Sequence, residues 1–376
     1  MTNHITSSGA DSITASELQD LMEHHRPVTV FDIRPPEQRA DWSIPGSVHL
    51  DIYEALKAGD DSGLTSVDVP ADGPVVTVCA AGGLSQTAAE LLRARGLDAR
   101  SLTGGMQAWS AAWNKAEVPL SKSDAAVVQV RRTGKGCLSY MIGSNGVAAV
   151  IDPSLDADVY LDLAKHYGWL ITNVLETHIH ADHLMRSRQL ASRTGATLYL
   201  PAQDRVRFEF SPLRDGDKVD VENATLRVIA TPGHTPESVS LLLDGEALFT
   251  GDTLFLKGVG RPDLDASEAQ MRNRAHLLHQ SLQKLLDLPP ETVVLPGHAS
   301  EPVGFDHQSL RATIGELRTG LALLRSNEED FVTEIIGRIP PTPPNHQRII
   351  ALNEAGAFED GDETELEAGA NRCAIA

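Results

Sequence analysis

The sequence predicts a two-domain chain of the α/β and α+β classes, on three observations. In the first third, short apolar runs alternate with helical patterns, as in a small domain with a mostly parallel sheet. Around residues 118–125 the stretch V-P-L-S-K-S-D-A interrupts that pattern and reads as a linker. Beyond it, G-C-L-S-Y-M-I-G and V-A-A-V-I-D-P flank the turn S-N-G, a hairpin that opens a second domain. The 376 residues suffice for two buried cores. The expected boundaries are 10–118 for the first domain, 119–125 for the linker, 126–350 for the second domain and 351–376 for an acidic tail.

In the first domain, V-T-V-F-D and V-V-T-V-C are the strand signals, and S-E-L-Q-D-L-M and Q-T-A-A-E-L-L-R-A-R the helical ones. In the second, the chain turns helical from about Gly315 and then meets R-I-P-P-T-P-P-N, where proline prevents regular helix. The stretch T-P-P-N-H-Q-R-I-I-A-L-N reads as a helix packing on the domain. The closing E-D-G-D-E-T-E-L-E-A-G-A is acidic and lacks aromatics, which predicts a mobile tail.

A formal charge of −20 argues against a nucleic-acid surface. No apolar run is long enough to span a bilayer, so no membrane partner is expected. The N-terminus lacks the basic and apolar regions of a signal peptide. The three cysteines, Cys79, Cys137 and Cys373, are far apart, a reduced and cytoplasmic type of usage. Cys137 falls in an expected strand and Cys373 near a loose end, so neither is expected to do chemistry. Oligomeric state leaves no pattern, and homo-oligomerisation stays open.

The densest chemical signal is T-H-I-H-A-D-H at 177–183, which places His178, His180, Asp182 and His183 within six residues. Single ligand types follow in order: His234 in T-P-G-H-T, Asp252 in F-T-G-D-T and His298 in L-P-G-H. Each follows a short apolar run and sits beside glycine, which reads as a strand ending in a tight loop. Two residues apart in extended chain, His178 and His180 project to one side. Asp182 and His183 are expected to open a helix capped by the aspartate, with Arg186 and Arg188 on its solvated face. This constellation resembles the metallo-β-lactamase superfamily from about Ala126 onward. The resemblance implies an αββα fold and a metal centre built from these seven side chains.

Cys79 ends the strand V-V-T-V-C and precedes A-A-G-G-L-S and a helix. Backbone N–H groups and the helix dipole at such a position favour a thiolate. The loop resembles the rhodanese active site. F-D-I-R-P-P-E at 31–37, S-I-P-G-S-V-H at 43–49 and L-T-G-G-M-Q-A-W at 102–109 extend the match over nearly the whole domain. The resemblance implies that Cys79 carries sulfane sulfur as a persulfide. Many rhodaneses have arginine where this chain has Leu84, which disfavours thiosulfate and leaves a glutathione-type persulfide donor or a docking role. Asp32 and Arg34 read as an ion pair near the loop, and Trp42, Trp109 and Trp113 as packing residues.

Fold alone does not name a reaction. The resemblance admits one Fe(II) per chain held by His178, His234 and Asp252, a two-histidine, one-carboxylate face with open positions, as in persulfide dioxygenases. His180, Asp182, His183 and His298 would then be outer-shell groups. It equally admits two Zn(II) ions using all seven ligands to hydrolyse a thioester, as in glyoxalase II, with a docking rhodanese domain. G-V-G-R-P-D-L at 258–264 favours the dioxygenase, in which Arg261 and Asp263 would bind the thiol carrier. That segment often has arginine at Lys257 and cysteine at Val259. A sulfur-carrying domain also has an evident use beside an enzyme that consumes persulfides. The expected partners are a glutathione-type thiol persulfide and O2.

Overall fold

A computed structural model describes residues 11–65, 67–69, 72–358, 363–369 and 371–375. The strands of the first domain are β1 (Ser12–Ile13), β2 (Thr29–Asp32), β3 (Val48–His49), β4 (Val75–Val78) and β5 (Ala99–Leu102). They form one parallel sheet in the order β1-β5-β4-β2-β3. The expected helices are present at Ala15–Glu23 and Gly83–Ala94. Thr14 and Glu17 close the first of these in a reciprocal capping box.

The second domain begins earlier than the linker reading implies. Strand β6 (Asn114–Val118), assigned from sequence to the first domain, pairs antiparallel with β7 (Ala126–Arg131). The connection is therefore a hairpin turn, in which Glu246 accepts the backbone N–H groups of Ser121, Lys122 and Ser123. The next strands are β8 (Leu138–Ser144), β9 (Val147–Ile151), β10 (Leu170–Leu175), β11 (Thr197–Pro201) and β12 (Ser211–Leu213). Asn145 and Gly146 turn β8 into β9 with φ of 45° and 84°, as S-N-G predicts.

The remaining strands are β13 (Lys218–Val221), β14 (Ala224–Ala230), β15 (Val239–Leu243), β16 (Ala247–Gly251), β17 (Val259–Gly260), β18 (Val293–Pro296), β19 (Ala312–Thr313) and β20 (Ala374–Ile375). One sheet runs β12-β11-β10-β9-β8-β7-β6, a second β13-β14-β15-β16-β18-β19, and β17 pairs with β20. Tyr140, Ile142, Leu241 and Phe249 interdigitate between the two large sheets, with the Tyr140 and Phe249 rings 4.9 Å apart. Helices Ala157–Tyr167 and Ser187–Thr194 cover one outer face, and Glu268–Leu286 with Glu328–Gly337 the other. This is the expected αββα layering. Among the described residues, no helix is long and apolar enough to cross a membrane.

The tail departs from expectation. Residues 359–362 of the acidic run lie outside the described residues, but Leu366, Glu367, Cys373 and Ile375 are buried. Glu367 is fully buried between Arg132, 2.6 Å away, and Arg186, 2.9 Å away. Burial opposes ionisation of Glu367, yet the two guanidinium groups bring its carboxyl down to about 2. Arg186, expected on a solvated face, is thus an internal partner of the tail. Arg372 meets Asp41 of the first domain, and Trp42 donates its indole N–H to Thr133 O at 2.9 Å.

Candidate metal centre

All seven predicted ligands converge at one end of the two large sheets, and all are buried. The loop 177–183 follows β10, His234 follows β14, Asp252 follows β16, and His298 follows β18. Close backbone approach makes this convergence possible. At Gly251, where φ is +47°, a Cβ would lie 2.5 Å from Thr177 Oγ1, so only glycine lets the two strand ends meet.

Hydrogen bonds fix which ring nitrogen each histidine presents. Thr177 Oγ1 donates to Asp152 Oδ2 at 2.7 Å and so accepts from His178 Nδ1 at 2.9 Å. His234 Nδ1 donates to the carbonyl oxygen of Arg261 at 2.8 Å. Both rings therefore aim an Nε2 lone pair inward. His178 Nε2 and Asp252 Oδ2 are buried with no hydrogen-bond partner. Asp252 Oδ2 lies 3.8 Å from His178 Nε2 and 3.6 Å from His234 Nε2. Burial holds both histidines below their ordinary range, which keeps them neutral. Burial also opposes the charge on Asp252, but His298 outweighs it and keeps the carboxylate ionised. Two neutral nitrogens and one carboxylate oxygen, oriented and otherwise unpaired, fit a divalent metal ion.

The other four predicted residues are mostly bonded to one another. His298 reaches Asp252 Oδ1 through Nδ1 at 2.7 Å and Asp182 Oδ2 through Nε2 at 3.1 Å. Asp182 Oδ2 also accepts from Asn371 Nδ2 and Cys137 Sγ. His183 Nδ1 bonds Asp182 Oδ1 at 3.1 Å, and its Nε2 is unpartnered. His180 Nε2 bonds Glu176 at 3.1 Å, leaving Nδ1 unpartnered.

Several expectations need correction. Asp182 does not cap a helix: the helix starts at Ser187, and the Asp182 carboxylate turns inward to His298 instead. Cys137 and Cys373 are not remote from the chemistry. Cys137 lies with Asp182, His183 and His298, and Cys373 with Asp252 and His298, each set of ligand atoms within 4.8 Å. The tail folds back because β20 pairs with β17, which follows Asp252. Arg261 is fully buried and every guanidinium donor is used: Asp263 takes two bonds, and the carbonyls of Pro340, Pro341 and Arg372 take the rest. Arg261 and Asp263 thus hold the tail and, through the Arg261 carbonyl, orient His234. Arg261 has no guanidinium donor left for the carrier expected of it, whereas the Asp263 carboxylate is partly exposed.

Asp152 and Glu176 escaped the sequence reading, although both orient ligand histidines. Asp152 ends the apolar run V-A-A-V-I-D, the same pattern that marked Asp252, and Glu176 directly precedes T-H-I-H. Burial raises the Glu176 carboxyl to about 7.

At the first domain's loop, Cys79 is buried against Ser85, whose Oγ is 3.3 Å and whose backbone N is 3.4 Å from Sγ. Gly105 backs the loop, and a Cβ there would come within 2.3 Å of the Cys79 carbonyl oxygen. Asp32 and Arg34 form the expected ion pair at 2.7 Å.

A family model described as the metallo-beta-lactamase superfamily matches residues 132–298, and one described as a rhodanese-like domain matches 14–112. The hydroxyacylglutathione hydrolase of Rhodospirillum rubrum is 39% identical over 164 residues, 41% of this chain and 58% of that protein. The hydroxyacylglutathione hydrolase of Pseudomonas entomophila is 37% identical over 158 residues, again 41% and 58%. The chain thus spans less than two thirds of these relatives. The crystal structure of ETHE1 from Myxococcus xanthus matches with a TM-score of 0.55 at 31% identity, over 61% of this chain and 98% of that one. A metallo-beta-lactamase from Staphylococcus aureus matches with a TM-score of 0.56 at 29% identity, over 63% and 74%.

Proposed function

Since the chain belongs to the metallo-β-lactamase superfamily and carries a rhodanese-like domain ahead of the metal-ligand domain, we propose that it is a persulfide dioxygenase with a linked sulfurtransferase module. The reaction joins a thiol persulfide, R–S–SH, with O2 and water, and yields R–SH, sulfite and two protons. One observation carries this reading. The ligand atoms of His178, His234 and Asp252 all lie within 4.8 Å of one another, with His178 Nε2 and Asp252 Oδ2 buried and unpartnered, a two-histidine, one-carboxylate face of the kind a mononuclear iron uses. Iron(II) held by the triad would supply electrons to O2 and leave adjacent positions for both reactants. Thr177 and the Arg261 carbonyl keep the two histidines in the tautomers that such binding requires. Cys79 would move sulfur between small thiols.

A specific observation favours a second reading, zinc-dependent hydrolysis of a glutathione thioester. His180 Nδ1 and His183 Nε2 are also free, as a two-metal site would use them, and the hydrolase names of the curated relatives agree with it. One assay separates the two. Glutathione persulfide should provoke oxygen uptake with formation of sulfite, while a glutathione thioester should be left intact. Thioester hydrolysis without oxygen uptake would overturn the dioxygenase.

A further inference from the structure

The ligand loop has little regular structure of its own. Between β10, which ends at Leu175, and the helix that begins at Ser187, the chain carries His178, His180, Asp182 and His183 on irregular backbone, buried throughout. Buried N–H and C=O groups need partners wherever secondary structure does not supply them. Along 180–185 those partners come from the C-terminal segment, well beyond the last ligand. Asn353, 2% exposed, closes the stretch T-P-P-N-H-Q-R-I-I-A-L-N within the helix His346–Ala355. Its Nδ2 donates to the carbonyl oxygens of His180 and His183, both at 2.9 Å, and its Oδ1 accepts the Met185 N–H at 2.8 Å. Both amide hydrogens and the oxygen are thus used, so the partners fix the orientation of the amide. Leu184 N–H goes to Glu367 Oε1 at 2.6 Å. Ile349, one turn before Asn353, packs with Leu184 and holds the helix against the loop.

We propose that Asn353 is a positioning residue of the metal centre, setting the path of the ligand loop and so the placement of the side chains the loop carries. The inference rests on the metal triad, but not on the choice between dioxygenase and hydrolase. Two routes lead from the held backbone to the triad. His178 lies on the same loop, two residues before His180. Asp182 sits between the two held carbonyls, and its carboxylate bonds His298, which in turn bonds Asp252. A shift of the loop backbone therefore reaches a triad ligand from either side. Asparagine suits the position because one short, planar group offers two donors and an acceptor. Aspartate there would turn a carboxylate oxygen toward two carbonyl oxygens, and a shorter side chain could not span all three partners. Either change leaves buried polar groups of the loop unpaired, which is costly and favours a different loop path.

Titration of cobalt(II) into the metal-free full chain reads affinity and, through the visible spectrum, coordination geometry, with no turnover needed. Asn353→Asp should weaken cobalt binding about 10–100-fold, the scale of groups that orient metal ligands, and should alter the spectrum. Asn353→Ser, which removes the paired donation without adding a charge, should move both readouts in the same direction and decides the matter if Asn353→Asp does not fold. Ile335→Ala is the control for a merely structural role. It opens a cavity in the outer helical layer, in the cluster around Leu282 and Phe331. Thermal stability should fall in that variant, while cobalt affinity and spectrum stay as in the wild type. Wild-type affinity and spectrum in the Asn353 variants, or an equal loss of affinity in Ile335→Ala, would overturn the positioning role. A wild-type chain that took up no cobalt would instead remove the metal triad, and this inference with it.

Discussion

Where the second domain's sheets end, His178 Nε2 and Asp252 Oδ2 are buried without partners. In the first domain's loop, by contrast, the Cys79 sulfur is enclosed and bonded twice by Ser85. Both sites lie at strand ends followed by glycine-rich turns, so the local sequence signals look alike. The difference lies in what surrounds them. Unpaired buried polar atoms are costly, and a protein retains them where an absent group is to be bound. A satisfied thiol carries no such requirement and must open before it reacts. The comparison teaches that the donor atoms at the sheet ends are oriented for a metal ion, whereas the Cys79 sulfur is held by hydrogen bonds within its own loop.

Four variants would break or sharpen this contrast. The largest effect is expected from Asp252→Ala, which removes one of the three proposed metal ligands. Metal content and oxygen uptake should both disappear, while sulfur transfer through Cys79 persists. Loss of both activities together would show that the two sites are not independent.

Next is Glu367→Ala, which strands Arg132 and Arg186 in the interior. Breaking a buried pair of this kind costs about 3–5 kcal/mol, readable by denaturant titration. Its pH signature has a definite sign. The Glu367 carboxyl is depressed when folded, so its contribution is present above the ordinary value of 4.5 and fades as pH falls through about 2. Wild-type and variant stabilities should therefore converge in acid, and a gap that widened there would contradict the pairing.

Thr177→Val should be milder. The hydroxyl that fixes the His178 tautomer is lost, which should weaken metal affinity about 10–100-fold. Competition with a chelator would measure it, and unchanged affinity would remove Thr177 from the account. Cys79→Ser is the smallest perturbation of the metal chemistry. Sulfur transfer to a thiol acceptor should stop, whereas oxygen uptake on supplied glutathione persulfide should not change. Retained transfer in this variant would make the first domain a docking module.

The sequence exposed those parts of the molecule whose signals are local. H-I-H-A-D-H and three glycine-flanked ligands marked the centre, and the alternation of strands and helices marked the first domain. What it hid depends on packing between distant segments. Nothing in R-C-A-I says that Cys373 lies beside Asp252, because that follows from pairing of β20 with β17. Glu367 sits in an acidic run that looks solvated, yet two arginines far away in sequence bury it. Arg261 likewise reads as a free cation until the residues that saturate it fold over it. Asp152 was accessible in principle, since it ends a strand just as Asp252 does.

The central claim is that a single metal ion occupies the triad. Mass spectrometry of protein purified without oxygen, quantifying iron and zinc against chain concentration, tests it most directly. The account predicts about one iron per chain and little zinc, as a two-histidine, one-carboxylate site favours. Two zinc ions per chain, lost together in Asp252→Ala, would contradict it and establish the two-metal hydrolase instead.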